Sequence, residues 1–326
     1  MRTENTNVIY NKNAQVALLV NDVKEFQEFF KHINTLTELG VPFSVWKTEK
    51  PNGETGHILK VAFNTLTMKA ELTYPDVELL TVNDNIYTEI EKTQTVIIPS
   101  PKKVVKLIDA LKDFIKDELK QDNIVFEVID SDYKLLSIHD SKGLTNFYTL
   151  LTYDEERNEL ETIRNDVIEQ TKVFSFQLSK AEISTILKAI KTLEVEEAIE
   201  LGIEPDMNNE GISLFVQIGN PLSTEFSKVY LLKGVKEPTF SQLIDEFFGE
   251  SVGGDNVYVR LKPFIDEKEE EREYISILFN KGEFTKALEV MKSFEQIEVV
   301  LLNFGIVVLR TLDENYKIAL MPEEQG

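Results

Sequence analysis

The chain has 326 residues, 42% of them hydrophobic and 10% aromatic, so it can bury the cores of two domains and is not a disordered protein. It has no cysteine, which excludes disulfides, thiolate-bound metals and thiol catalysis, and which favours a reducing compartment. Its formal net charge of −22 is typical of a soluble protein that repels polyanions. Charge nevertheless acts locally, because the Debye length at physiological salt is only about 8 Å.

In the first half of the chain, the order of one strand, one helix and three strands is predicted twice. Apolar residues at three- and four-residue spacing predict helices over 21–34 and 101–121. Asn21 or Asp22 can cap the first helix, and Ser100 the second. Strands are predicted over 15–20, 42–47, 57–64, 68–74, 95–98, 124–129, 133–139 and 146–153, and the span 75–93 is ambiguous.

The second half repeats this order after a polar segment, 154–171, which is predicted to be an interdomain linker. Helices are predicted over 179–193 and 280–293, each opening with a capping-box pattern. Strands are predicted over 173–178, 212–218, 226–232, 257–262, 274–279, 297–303, 306–311 and 316–321, with an additional helix over 240–248 that the repeat does not require. The predicted domains are 1–153 and 172–326.

Local signatures of catalysis are absent from the sequence, which has no glycine-rich phosphate loop, HExxH or GxSxG motif. His32, His57 and His139 lie on different predicted elements and are interpreted as surface or packing residues. The acidic runs 194–200 and 266–273 hold enough carboxylates for a cation, but they lack EF-hand spacing and are interpreted as solvated loops. We therefore predict no enzyme, no catalytic residue, no cofactor and no metal.

The four repeat helices are less acidic than the rest of the chain. Their net charges are −1, +2, +2 and +1 in chain order, which leaves −26 on the remainder. Lys112, Lys116 and Lys120 recur every four residues and therefore share one side of a helix. One explanation is the pairing of lysines with acids at i,i+4 on ordinary surface helices. The other is a common solvent face that meets phosphates.

The element order resembles that of the DNA sliding clamps, of the proliferating-cell-nuclear-antigen and phage processivity-factor type. The likeness is greatest at VFSFQLSKAEISTILKAIKTL (173–193), which is similar to the opening of a clamp's second domain, and at GIVVLRTLDENYKIALMPEE (305–324), which is similar to a clamp's last hairpin. The resemblance implies an α+β clamp fold of two similar domains, each with two βαβββ units and with helices on one face of antiparallel sheets. The chain is longer than the usual two-domain member, with extra material near 194–210 and 235–272.

The resemblance also implies a head-to-tail homotrimeric ring in which twelve helices line a pore around double-stranded DNA, bound without sequence preference. By analogy, the paired edges between subunits are 146–153 and about 257–262. The residues implied as phosphate contacts are the helix lysines Lys102, Lys103, Lys106, Lys112, Lys116, Lys120, Lys180, Lys188, Lys191, Lys281, Lys286 and Lys292.

Clamp partners such as a DNA polymerase and a clamp loader dock a short peptide beside the interdomain linker and the C-terminal strand. By resemblance, that surface involves the linker with Leu320, Met321 and Pro322. The alternative for these three residues is that they only complete a β-hairpin.

The function predicted from the sequence is a polymerase sliding clamp that is not an enzyme. The alternatives are a clamp-fold accessory factor that binds DNA without encircling it, and an acidic viral structural or assembly protein. Since no apolar stretch approaches the roughly 18 residues of a membrane span, we expect a soluble, intracellular protein with no membrane partner.

Overall fold

The structure is a computed structural model and describes residues 8–11, 14, 16–49, 55–82, 96–98, 100–115, 123–129, 135–150, 172–193, 198–206, 211–219, 226–249, 257–265 and 271–325. The chain divides into two compact units. One comprises Met1–Phe63 and Glu71–Thr162, and the other Asn64–Ala70 and Ile163–Gly326. The predicted linker and the last turns of the predicted helix 101–121 lie outside the described residues.

Among its described residues, the first half of the chain contains two helices and eight strands. They are β1 (Val16–Val20), α1 (Val23–Leu36), β2 (Val41–Glu49), β3 (Thr55–Asn64), β4 (Met68–Val82), β5 (Val96–Ile98), α2 (Pro101–Phe114), β6 (Ile124–Ile129), β7 (Leu135–Asp140) and β8 (Asn146–Leu150). Hydrogen-bonded neighbours run in the order β8-β7-β6-β1-β4 and, on the other side of β4, β3-β2-β5. β4 is longer than predicted, because it continues into the ambiguous span and pairs with β1 through Val77–Val82.

The second half contains three helices and nine strands among its described residues. They are β9 (Lys172–Ser179), α3 (Lys180–Thr192), β10 (Ile199–Pro205), β11 (Ile212–Ile218), β12 (Ser227–Val235), α4 (Phe240–Phe248), β13 (Val259–Ile265), β14 (Glu271–Phe279), α5 (Lys281–Met291), β15 (Gln296–Leu302), β16 (Val307–Thr311) and β17 (Tyr316–Leu320). One group of neighbouring strands is β17-β16-β15-β9, and the other is β12-β11-β10-β14-β13.

The fourfold repeat of strand, helix and three strands is confirmed. Its members are β1-α1-β2-β3-β4, β5-α2-β6-β7-β8, β9-α3-β10-β11-β12 and β14-α5-β15-β16-β17. The third repeat differs from the prediction, because β10 supplies its first strand and was not predicted. The strand predicted over 257–262 is instead β13, which pairs with β14 at the edge of the five-stranded sheet. Helix α4 and β13 therefore form an insertion between the third and fourth repeats.

The core of the first unit is built on aromatic side chains of α1. Phe26 and Phe30 are completely buried, as predicted from their spacing, and Phe29, which was not predicted, is buried with them. The Phe26 ring lies 5.0 Å from Tyr74 and 5.7 Å from Phe126, centroid to centroid, in edge-to-face geometry. Each such ring contributes about 1.5–3 kcal/mol through removal of its surface from water, and these contacts fix α1 on the sheet.

A buried acid–histidine pair lies under the N-terminal segment of the first unit. His139 Nε2 is 3.4 Å from Glu127 Oε1, and both side chains are buried. The same Glu127 oxygen accepts a hydrogen bond from the Asn11 backbone N–H at 2.6 Å. Burial opposes protonation of His139, but the bond to Glu127 and the contacts with Asp140 outweigh it and raise the pKa of the ring. His139 is thus a packing residue, as interpreted from the sequence, with an ionic partner.

Replacing His139 with glutamine is expected to destabilise the protein more at pH 6 than at pH 9. Because the folded pKa is above the unfolded value of 6.5, the ionised pair stabilises fully below pH 6.5 and loses its contribution as the pH rises through the folded pKa. Urea unfolding at both pH values measures this difference in free energy of unfolding. An equal loss at the two pH values would show that the imidazolium does not contribute.

Candidate nucleic-acid interface

Each repeat helix of the first unit begins at a capping side chain. Asp22 Oδ1 accepts a hydrogen bond from the Glu25 backbone N–H at 2.8 Å, and Ser100 Oγ accepts from the Lys103 N–H at 3.4 Å. Both caps confirm the prediction, and each fixes the residue at which its helix begins.

Helix α3 opens with the predicted capping box, in which Ser179 Oγ accepts from the Glu182 N–H and the Glu182 carboxylate accepts from the Ser179 N–H. Helix α5 has only half of its predicted box. Asn280 accepts from the Glu283 N–H at 3.2 Å, but the Glu283 carboxylate accepts from the hydroxyls of Thr65 and Thr67 instead. The start of α5 is thereby tied to the Asn64–Ala70 segment of its own unit.

The exposed lysines of α2 lie near its N-terminus. Lys102, Lys103 and Lys106 are exposed and share one side of the helix, and none has a carboxylate partner among the described residues. Lys112 is half-buried, and its Nζ lies 3.5 Å from Gln27 Oε1 of α1. Lys116 and Lys120 lie outside the described residues, so the predicted row of three lysines is represented there by Lys112.

The lysines of the second unit divide into paired and unpaired groups. Lys191 of α3 forms an ion pair with Glu289 of α5, and Lys180 Nζ lies 3.4 Å from Glu295. Lys281 donates to the Leu193 carbonyl at 3.2 Å. Lys188 and Lys286 are exposed, and Lys292 is half-buried, without a carboxylate partner in the described part of the chain.

Helix α1 matches the alternative explanation of ordinary surface pairing. Lys31 Nζ lies 2.7 Å from Glu28 Oε1 one turn away, and both side chains are nearly half exposed. Such a pair contributes only a few tenths of a kcal/mol and neutralises the lysine locally. Lys24, the other lysine of α1, is exposed, and the remaining exposed lysines of the described repeat helices lie on α2, α3 and α5.

The three residues predicted for partner binding face different environments. Leu320 is only 1% exposed and packs in the core, and Pro322 is also buried. Met321 is half-buried and packs against an apolar cluster of Val300, Leu302, Ile306 and Ala319, with Val308 beside it. This cluster was not predicted from the sequence. β15 and β16 are nevertheless apolar at successive positions, which indicates that both faces of a strand are covered.

The segment after β17 is held by Gln325. Its side-chain amide donates to the carbonyls of Tyr258 and Ser276 at 3.0 and 2.9 Å. Its backbone N–H donates to the Val257 carbonyl at 2.8 Å, and its own carbonyl accepts from Arg260 at 2.8 Å. The residues that precede and form β13 thus anchor this segment, which gives the insertion a structural role that the repeat alone does not predict.

No three His, Asp or Glu side chains in the described ranges are arranged so that they could hold a metal ion. No helix in the same ranges is both long and apolar enough to cross a bilayer. No protein-family model and no curated protein matches the sequence.

Solved structures match the whole length of the chain. The proliferating cellular nuclear antigen of Entamoeba histolytica is 12% identical, with a TM-score of 0.58 over 95% of this chain and 99% of that one. The β clamp of Helicobacter pylori is 15% identical, with a TM-score of 0.55 over 97% of this chain and 68% of that one. The chain has the sliding-clamp fold.

The clamp fold is shared with these proteins although few residues are identical. Another structure of the H. pylori clamp, bound to a DNA ligase peptide, is 15% identical with a TM-score of 0.53 over 99% of this chain. The clamp fold is confirmed, and the roles of individual lysines stay predictions.

Proposed function

We propose that this protein is a DNA polymerase sliding clamp, a non-enzymatic ring that encircles duplex DNA and tethers a polymerase during replication. The observation that carries the proposal is the combination of the clamp fold with exposed lysines on its repeat helices that have no carboxylate partner among the described residues. In a chain of net charge −22, exposed lysines lie on α2 of the first unit (Lys102, Lys103 and Lys106) and on α3 and α5 of the second unit (Lys188 and Lys286).

Weak contacts are what such a ring requires. Exposed lysines that attract phosphates without directional pairing bind any sequence, and the retained water lets the ring move along the duplex. The paired lysines Lys180 and Lys191 contribute less, because Glu295 and Glu289 already neutralise them. At physiological salt, acidic residues farther than about 8 Å from these lysines are largely screened from them.

The repeat also supports specific edges for ring closure. Within the second unit, β17 lies beside the Asn64–Ala70 segment at the start of β4, where the Met321 N–H donates to the Thr67 carbonyl at 2.8 Å. β17 is the last strand of the fourth repeat and β4 the last of the first. Their counterparts are β8 in the second repeat and β12 in the third, which are both strands at the end of a sheet order.

We infer that β8 of one copy pairs with β12 of the next, which replaces the earlier expectation of an edge at 257–262. Large apolar side chains stand exposed on both candidates: Leu144 and Tyr148 at β8, and Phe226 and Tyr230 at β12. Pairing would satisfy the unpaired backbone groups of these strands. Head-to-tail contacts that rotate each copy by a third of a turn close a homotrimer.

Partners of the ring, a polymerase and a clamp loader, are proposed to bind beside Met321. The apolar cluster that includes Val300 and Ile306 supports this assignment, and so does the fixed position of the following segment. Leu320 supports the surface from the core side and does not contact a partner.

Retention on circular DNA tests encirclement. A clamp loader first loads the assembled protein on nicked circular DNA. The complex is then passed over a sizing column in about 0.5 M salt, which weakens phosphate contacts. We expect co-elution that is lost when a restriction enzyme linearises the DNA. Equal retention on linear and circular DNA, or none on either, would contradict encirclement, and the former would identify the one-face binding alternative.

A further inference from the structure

The outward face of the five-stranded sheet carries a cavity that the clamp repeat does not require. The cavity has a volume of about 840 Å³, and β13 of the insertion forms one wall through Lys262, Pro263, Phe264 and Ile265. Phe215 and Tyr274 contribute aromatic rings to its lining. It lies within the second unit and is separate from the apolar cluster beside Met321.

Gly202 of β10 leaves room for the ring of Phe215, which lines this cavity. A Cβ atom at this position would lie 2.0 Å from Cζ of Phe215, so only glycine lets the phenyl ring lie against β10. The Phe215 ring is flanked by Tyr230 at 6.0 Å and Tyr274 at 5.7 Å, centroid to centroid. The Phe215 ring is almost completely buried, and with the two tyrosines it forms an aromatic box beneath Lys228.

Two carboxylates line the same box. Glu200 accepts hydrogen bonds from Tyr274 and Lys262, both at 3.0 Å, and Glu204 accepts from Tyr230 at 2.7 Å. Burial and the neighbouring Glu200 raise the pKa of Tyr274, so its hydroxyl keeps its proton and donates. Carboxylates beside aromatic faces form the usual surroundings of a bound organic cation.

The box already holds a cation from the chain itself. Lys228 Nζ lies 3.8 Å from the centroid of Phe215, 4.9 Å from that of Tyr230 and 2.6 Å from Glu204 Oε2. The lysine side chain is 25% exposed, whereas that of Glu204 is 13% exposed. Lys228 is therefore the more exposed member of this ion pair.

This arrangement selects the charge of an incoming group. An anion would have to draw the lysines away from the buried Glu200 and the partly buried Glu204, which is costly because a charge removed from water needs a partner. A cation can exchange with Lys228 and keep Glu204 paired. A guanidinium group has the advantage, because it is planar, weakly hydrated and able to stack on Phe215 while binding Glu204 through two N–H groups.

We propose that this cavity binds an arginine side chain of a partner polypeptide, and that Lys228 occupies its cation position when the partner is absent. The alkyl stem of the arginine packs against the apolar lining, where Phe226 and Leu278 lie. The net negative charge of the chain favours the approach of a basic segment. The inference does not depend on DNA encirclement.

The probe is the tripeptide N-acetyl-Gly-Arg-Gly-amide, titrated into the full chain without DNA while the methyl NMR signals of Ile265 and Leu278 are followed. We expect saturable shifts with this peptide and none with its glutamate analogue. Replacing Lys228 with alanine is expected to tighten binding at least about threefold, because the internal competitor is removed. Glu204→Gln is expected to abolish binding, and Lys236→Ala, at an exposed lysine after β12 that does not line the cavity, is the control that leaves it unchanged.

Lys228→Arg keeps the fold if the alanine variant does not, and it is expected to block the peptide, because the chain then supplies its own guanidinium group. Equal shifts from a leucine analogue would overturn the proposal in favour of apolar docking. Unchanged affinity in both Lys228 variants would overturn it as well. Since the test uses neither DNA nor polymerase, failure here and failure of the clamp function are distinguishable.

Discussion

Reversing Lys102, Lys103 and Lys106 to glutamate is expected to lower the affinity of the ring for duplex DNA on the order of a hundredfold at about 0.15 M salt. The three side chains are exposed on one side of α2 and have no carboxylate partner among the described residues. Each lost phosphate contact removes about 0.9 from the slope of log affinity against log salt. Fluorescence anisotropy over a salt series measures both the affinity and the slope.

A pair of variants on α3 and α5 controls for charge alone. Lys188→Gln with Lys286→Gln removes the same charge as Lys180→Gln with Lys191→Gln, but only the second pair has carboxylate partners. We expect the first double variant to reduce the salt slope by nearly two and the second to reduce it much less. Equal effects would show that net charge, and not the placement of the unpaired lysines, determines binding.

A helix could be predicted from the sequence where the apolar periodicity and the capping residue indicate the same bounds. The stripe of Val104, Ile108, Leu111 and Ile115 is completely or almost completely buried, and Ser100 caps the helix as expected. Local chemistry determines both features, so no tertiary information is required. Which lysines pair with carboxylates could not be predicted in this way. Glu289 and Glu295, the partners of Lys191 and Lys180, are about a hundred residues away from them in the sequence.

Neither β10 nor the cavity beside it was predicted from the sequence, and both have the same physical reason. Glu200, Gly202 and Glu204 alternate along β10 with the apolar residues Ile199, Leu201 and Ile203, so the strand was interpreted in part as a solvated acidic loop, although Glu200 and Gly202 are buried. The acids are tolerated there because Lys228, Lys262 and two tyrosines neutralise or hydrogen-bond them. Those partners come from β12, β13 and β14, and only the folded sheet brings them together.

Introducing glutamate at Tyr148 and Leu144 is expected to convert the ring into monomers. Both side chains are more than half exposed at the β8 edge, and a charge transferred into an apolar subunit contact costs several kcal/mol, enough to weaken association by a factor of a thousand or more. Phe226→Glu beside β12 is expected to act in the same way from the other edge. Light scattering should give a mass three times 37.4 kDa for the unaltered chain and 37.4 kDa for each variant.

Mixing the two edge variants tests whether the contact is head-to-tail. Each variant keeps one intact edge, so a mixture can form a single β8–β12 contact and stops at a dimer, because a closed ring needs two edges on every copy. Leu312→Glu, at an equally exposed apolar side chain in the β16–β17 turn, is the matched control and should leave the trimer intact. A monomeric unaltered chain over a wide concentration range would contradict the ring. A full trimer from the mixed variants would show that these edges do not form the interface.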